Sequence, residues 1–254
     1  TMTVPGVVLK HLHRARLSHY RGAGGSDADA LALYEWNIEL TSALQELLGI
    51  AEVAVRHAID IELRAWSVTH CGAEEWIDHV AALPYLSVAE VFSTTRHRLY
   101  GAADLSQKER MHGHPRRGDA PNHDDLVAHI MFGTWARMLP EKFDARWVDG
   151  RGNPVQDLGN LQARRDLWRQ CLHRGFPNAA NDPRGYGTGN KVRDLRKLRN
   201  KVSHMDSLLY IDVTHLHDRV LLPLLNSISH DLRDWAQNRS SVRAILAERP
   251  QSNP

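Results

Sequence analysis

The run from Leu33 to Ile61 limits the possible folds more than any other part of the chain. Leu33, Leu40, Leu44, Leu47, Ala51, Ala54, Ala58 and Ile61 recur at steps that keep one stripe, the pattern that lines apolar side chains along one face of an α-helix. Ser26, with Asp29 three residues on, supplies a capping-box start. Gly49 interrupts the run and predicts a kink rather than an end. So long an amphipathic helix needs partners along its whole length, which makes it the spine of a bundle or of a dimer. No set of alternating-apolar strands competes with it, and no internal repeat emerges. The expected fold is all-α, a bundle of roughly seven to nine helices in a single domain over residues 1–254.

The remaining segments read in the same way. Val7 to Tyr20 forms a short amphipathic helix, followed by a Gly-rich break at Arg21 to Ser26. Further helices are expected over Val88 to Tyr100, Leu126 to Leu139, Leu158 to His173 and Val213 to Trp235, the last kinked at Pro223. Ser240 to Arg249 makes a final short helix that docks on the domain. Long loops are expected near 102–124 and 176–190, where Gly, Pro and charge accumulate. His112, His114 and His123 fall in or beside the first loop without metal-ligand spacing, so no metal site is read there. Gly185, Gly187 and Gly189 lack the lysine and the preceding strand of a phosphate loop.

One helix carries chemistry. From Lys191 the chain buries Val192, Leu195, Leu198 and Val202 on one side. The other side presents Arg199, Asn200 and His204. Asn200 and His204 are an i, i+4 pair on one face, and Arg199 stands one step round. Arginine grips phosphate oxygens in a fork. Histidine titrates near neutrality and moves protons. An amide orients either group or the phosphate. Attack of a ribose 2′-OH on the adjacent phosphate needs this set and needs no metal or other cofactor. One imidazole does not easily serve both sides of an in-line displacement, so two copies facing across a dimer axis are expected. Arg-x4-His alone is a weak signal, since Arg14 to His19 repeats it. The alternative is a solvated basic face, and for Lys191, Arg193, Arg196, Lys197 and Lys201 both readings stand. Arg56, spaced four residues from Glu52 and from Asp60, is either a rung of a surface ion-pair ladder or a cation beside the motif.

Leu198 to His204, Leu-Arg-Asn-Lys-Val-Ser-His, resembles the Arg-[Asn/His/Asp]-x3-His signature of HEPN-domain ribonucleases. The chain is similar in particular to their abortive-infection (Abi-like) branch. Matching segments are Leu17-Ser18 with Tyr20, Ala30 to Leu48, Glu52 to Ala58, Met131 to Trp135, Leu167-Trp168 with Phe176-Pro177, the Arg199–His204 motif and Val242 to Pro250. The resemblance implies a HEPN-type helical bundle with additional helices and long loops. It implies a homodimeric, metal-independent endoribonuclease of antiviral, toxin-like defence, held in check by a cognate inhibitor RNA or protein. Arg199, Asn200 and His204 would be catalytic, with Arg56, Arg196, Lys197 and Lys201 on the RNA backbone. A non-catalytic RNA-binding or regulatory module of the same fold is the other reading. The chain departs from the pattern at His57, where the family usually has Asn, and at Met205-Asp206, where it often has His and Glu. These departures leave open whether Glu52, Arg56 and His57 join the site.

Composition sets the remaining bounds. The 254 residues carry a formal net charge of +2 with 16 His, so RNA contact has to come from local basic patches. Cys71 and Cys171 alone make neither a disulfide framework nor a thiol metal site. No run is long and apolar enough to suggest a membrane span, and no signal pattern opens the chain, so a cytoplasmic protein is expected.

Overall fold

The computed structural model describes residues 4–12, 14–79, 96–144, 151 and 158–251. The protein is all-α, and no strand occurs among the described residues. In chain order the helices are α1 (Val4–Leu9), α2 (Arg14–Gly24), α3 (Asp27–Cys71), α4 (Arg96–Lys108), α5 (His123–Ala128), α6 (Phe132–Met138) and α7 (Leu158–Gln170). A 3-10 turn at Leu172–Gly175 precedes α8 (Tyr186–Ser203). Then come α9 (Val213–His215), a π-helical turn at Leu216–Leu221, α10 (Leu222–Ile228), α11 (His230–Arg239) and α12 (Val242–Ala247). No helix among the described residues is long and apolar enough to cross a membrane. The chain divides into two compact units. The first comprises Thr1–Ala51, Asp194–Asn226 and His230–Pro254; the second comprises Glu52–Arg193 and Ser227–Ser229.

In the first unit the opening half of α3 provides the core. Ser26 Oγ accepts the Asp29 N–H at 3.2 Å and donates to Asp29 Oδ2 at 2.6 Å, closing the helix start that the sequence signals. Leu33, Leu40, Leu44 and Leu47 are fully buried, as are Leu17, Tyr20, Leu195, Leu221 and Leu224. Each such leucine contributes about 1.5–3 kcal/mol by leaving water. The helix runs unbroken through Gly49, where a Cβ would meet nothing within 4 Å. Val7 to Tyr20 is divided between α1 and α2, and α2 continues to Gly24 before Gly25 turns at φ 75°. The docked last helix is present: Trp36 Nε1 donates to the Ile245 carbonyl at 2.8 Å, and Val242 is fully buried.

The helix expected from Val213 to Trp235 is interrupted. A proline ring inside a regular helix collides with the carbonyl four residues back and leaves it without a donor. The π turn at Leu216–Leu221 widens the backbone just before Pro223, which accommodates that ring. A second break falls at Ser229.

The second unit begins at Glu52, and there the buried face of α3 turns. Val55, Ile59 and Leu63 are fully buried, while Ile61, expected in the stripe, is 48% exposed. New neighbours impose this: Gly175 packs on the Ala58 carbonyl, and Cys171 Sγ donates to the Glu62 carbonyl at 3.2 Å. The helix expected over Leu126 to Leu139 is two helices, with Met131 extended between them at φ −67°, ψ 147°. Leu126, Val127, Ile130, Phe132, Trp135, Ala136, Met138 and Leu139 are all buried, and one straight helix has no single face that holds them all. Asn122 and Asp125 close the α5 start with a reciprocal capping box.

Neither expected loop is a simple break. α4 runs on to Lys108, and the stretch from 109 to 122 is pinned by charge. Arg110 and Arg116 each reach Asp125 at 2.8 Å, and Arg110 donates to the Arg116 carbonyl at 2.6 Å. α8 begins at Tyr186, five residues before Lys191. Asp182 accepts the backbone N–H groups of Gly187 (3.1 Å) and Thr188 (2.6 Å) and the Thr188 hydroxyl (2.9 Å). Gly185 has φ 70°, and a Cβ there would stand 2.5 Å from the Trp168 indole. A side chain at Gly189 would run into the Pro140 carbonyl. These glycines are sites of close approach, not of looseness. The expected helix over Val88 to Tyr100 is described only from Arg96; residues 88–95 lie outside the described residues.

Candidate functional site

The motif occupies the last turn of α8, in the first unit. Leu195, Leu198 and Val202 are buried and fix the rotation of the helix. Arg196, Asn200 and His204 then form a ridge at i, i+4 and i+8 on the outward side. Asn200, His204, Lys197 and Lys201 are exposed; Arg196 and Arg199 are half-buried. Lys197 Nζ stands 3.2 Å from Asp194. Arg196 Nε is buried with no hydrogen-bond acceptor.

The helix ends at the histidine, and the way it ends matters. The N–H of Met205 bonds the Val202 carbonyl at 3.0 Å, and the N–H of Asp206 bonds the Lys201 carbonyl at 2.9 Å. This is a Schellman closure, whose left-handed position usually holds glycine. Here it holds Met205 at φ 53°, the one non-glycine residue with positive φ among the described residues. A side chain in that conformation costs roughly 1–2 kcal/mol. Backbone strain of this kind concentrates at functional sites, where surrounding structure must enforce it. The enforcement is visible downstream: the buried Asn37 accepts the Leu208 N–H at 2.8 Å, and Leu208 and Leu209 are buried.

Six of the seven residues singled out in the sequence, Arg196, Lys197, Arg199, Asn200, Lys201 and His204, therefore lie within three turns of one helix. Arg56 is not among them. It lies on α3 in the second unit, half-buried, with Nη2 3.7 Å from Glu52 Oε1 and a buried Nε without an acceptor. The expected ion-pair ladder is half present. Glu52 pairs with Arg56, but Asp60 turns to Arg64 at 2.7 Å. His57 is exposed.

Asp60 anchors a network that the sequence does not announce. Its carboxylate accepts from Trp76 Nε1 at 2.7 Å and lies 3.2 Å from His123 Nε2, while Arg64 bridges Asp60 and Asp124. Burial alone raises the Asp60 pKa. The hydrogen bonds from His123, Trp76 and Arg64 outweigh it and hold the carboxyl below its ordinary value. His123, read as a loop residue, is thus buried against Trp76. A comparable closed set lies in the first unit. The buried His217 bonds Asp218 at 2.6 Å through Nδ1 and Ser240 at 2.8 Å through Nε2. Asp218 is held low in pKa, first by the Arg243 guanidinium and further by His217, against the effect of burial. Only the adjacent His-Asp pair hints at this in the sequence. Among the described residues no three His, Cys, Asp or Glu side chains are grouped to hold a metal ion. No family model, no curated protein and no solved structure matches the chain.

Proposed function

We propose that the protein is a metal-independent endoribonuclease of the HEPN type, cytoplasmic and acting in abortive-infection or toxin-like antiviral defence. The observation that carries this reading is the outward Arg196–Asn200–His204 ridge, with Asn200 and His204 exposed, flanked by Arg199 and closed by the strained Met205 turn. His204 takes the proton of the ribose 2′-OH as its oxygen bonds to phosphorus. The P–O5′ bond breaks, and His204 of a second copy protonates the leaving oxygen. Arg199 stabilises the added charge on the phosphoryl oxygens, and Asn200 orients the imidazole or the phosphate. Arg196, Lys197, Lys201 and Arg56 hold the RNA backbone through phosphate contacts. The products are a 2′,3′-cyclic phosphate and a 5′-hydroxyl. A cognate inhibitor RNA or protein restrains the activity.

The chemistry asks for no Lewis acid, because arginine supplies the charge and histidine the proton transfer. The purified protein is therefore expected to cut RNA in EDTA, and His204→Ala to be inert. Cleavage that requires added Mg²⁺ would count against the reading. RNA retention and biological effect that survive His204→Ala would instead favour a non-catalytic RNA-binding module.

A further inference from the structure

The closed set around His217 ends on a hydroxyl. His217 and Asp218 belong to the π turn at Leu216–Leu221, a backbone form frequent at functional sites. Ser240 stands in the short break between α11 and α12. His217 Nδ1 lies 2.6 Å from Asp218 Oδ1, and Nε2 lies 2.8 Å from Ser240 Oγ. The imidazole is buried, whereas Ser240 is half-buried between the exposed Arg239 and Ser241.

The polarity of these bonds follows from the carboxylate. Arg243 grips Asp218 through Nε at 3.1 Å and Nη2 at 2.7 Å. That guanidinium, with His217, holds the Asp218 carboxyl below its ordinary value. An ionised carboxylate only accepts, so Nδ1 carries a hydrogen. In the neutral imidazole Nε2 is then the acceptor, and the Ser240 hydroxyl donates to it. Oγ in turn accepts the Val242 N–H at 3.4 Å, which leaves its own hydrogen for Nε2. Nucleophile, base and carboxylate thus stand in the order, and within the reach, that activation of a serine requires.

A cleft of about 330 Å³ opens beside this row, with Asp218, Pro223, Gln237 and Arg243 in its lining. Gln237 and Arg243 lie three residues to either side of Ser240, and the Ser240 N–H bonds the Gln237 carbonyl at 3.2 Å. The volume is at the small end of the ~300–1,000 Å³ range of ligand sites, which suits a short acyl chain.

We propose that Ser240 and His217 hydrolyse short-chain carboxylic esters, with Asp218 and Arg243 positioning the imidazole. Ser240 Oγ bonds to the ester carbonyl carbon as its proton passes to His217 Nε2. The bond from that carbon to the alcohol oxygen breaks, and His217 gives the proton to the leaving alcohol. Water then attacks the acyl group on Ser240, losing a proton to His217. The acid departs, and the proton returns to Oγ.

The test treats the full chain with a fluorophosphonate probe and maps the adduct by peptide mass spectrometry. One adduct is expected, on Ser240, formed as Oγ displaces fluoride from phosphorus and His217 takes the proton. p-Nitrophenyl acetate and butyrate should be hydrolysed with an initial burst, and the octanoate more slowly. Ser240→Ala should lose both adduct and burst. His217→Gln should slow labelling by about 10²-fold or more. Asp218→Asn should lower kcat for the butyrate by about 10²-fold with KM little changed, while a thermal melt shows it folded. No adduct on Ser240 in the folded wild type, or turnover that Ser240→Ala leaves intact, overturns the proposal and makes the set a clasp between helices. Neither outcome depends on RNA cleavage, so the nuclease reading stands or falls separately.

Discussion

The last turn of α8 and the Asp60 cluster use similar residues to opposite ends. Around Asp60, an arginine, a histidine and an indole converge on one carboxylate and leave it little exposed. Around His204, the amide, imidazole and two lysines face solvent, and the backbone behind them is strained at Met205. A charge network that closes on itself contributes to folding. Polar side chains held at the surface on an enforced turn stay within reach of a partner arriving from solvent. The presence of Arg, His and Asp therefore says less about function than whether they are buried together or held at the surface.

Crossed substitutions test that contrast most severely. Arg199→Ala with His204→Ala should lower RNA cleavage by about 10³-fold or more while costing less stability than the loss of Asp60. Asp60→Ala should behave in the opposite sense. It removes the carboxylate on which Trp76 and His123 converge and one of the carboxylates that hold Arg64, and should cost about 3 kcal/mol in denaturant unfolding, with residual folded protein still active. If both changes destabilise equally, the distinction fails.

Acid sharpens the comparison at the next level. The Asp60 pKa is lower in the folded chain than in the unfolded one. Its contribution is thus fully present above the unfolded value of about 3.9 and is lost as pH falls through the folded value. Unfolding followed from pH 7 down to pH 2 should steepen in that window for the wild type. The slope should be shallower for Asp60→Asn.

A smaller effect is expected at Met205. Glycine there relieves the left-handed strain but raises the entropy of the unfolded chain, for a net gain of about 0.5–1 kcal/mol. A thermal melt would measure it, and a loss of stability would mean that the Met205 side chain contributes more than its backbone costs. The smallest effect concerns the thiols. Burial pushes Cys171 up to about 12, so a thiol reagent at pH 8 should label Cys71 and leave Cys171 untouched in the native protein.

Local patterns were legible and distant ones were not. The spine helix shows in the sequence because Leu33, Leu40, Leu44 and Leu47 recur at helical spacing and are all buried. The motif shows because all its members lie within one short helical stretch. Asp60 and His123 meet across 63 residues, and neither carries a local mark of the other. The pinned stretch from 109 to 122 reads as loose because composition registers its glycine and proline but not the ion pairs that Arg110 and Arg116 make with Asp125. Gly185 and Gly189 read as flexible for a related reason. Their contacts with Trp168 and Pro140 come from segments that no helical period connects to them.

The bond from Trp36 to the Ile245 carbonyl spans 209 positions, and this sets an order of events during synthesis. Translation delivers residues from the amino end, at about 5–20 per second. The second unit is nearly contiguous and has almost all its parts once Arg193 has left the ribosome. The unit that carries His204 must wait for the residues near 245, so a nascent chain holds its motif before the surrounding core can close.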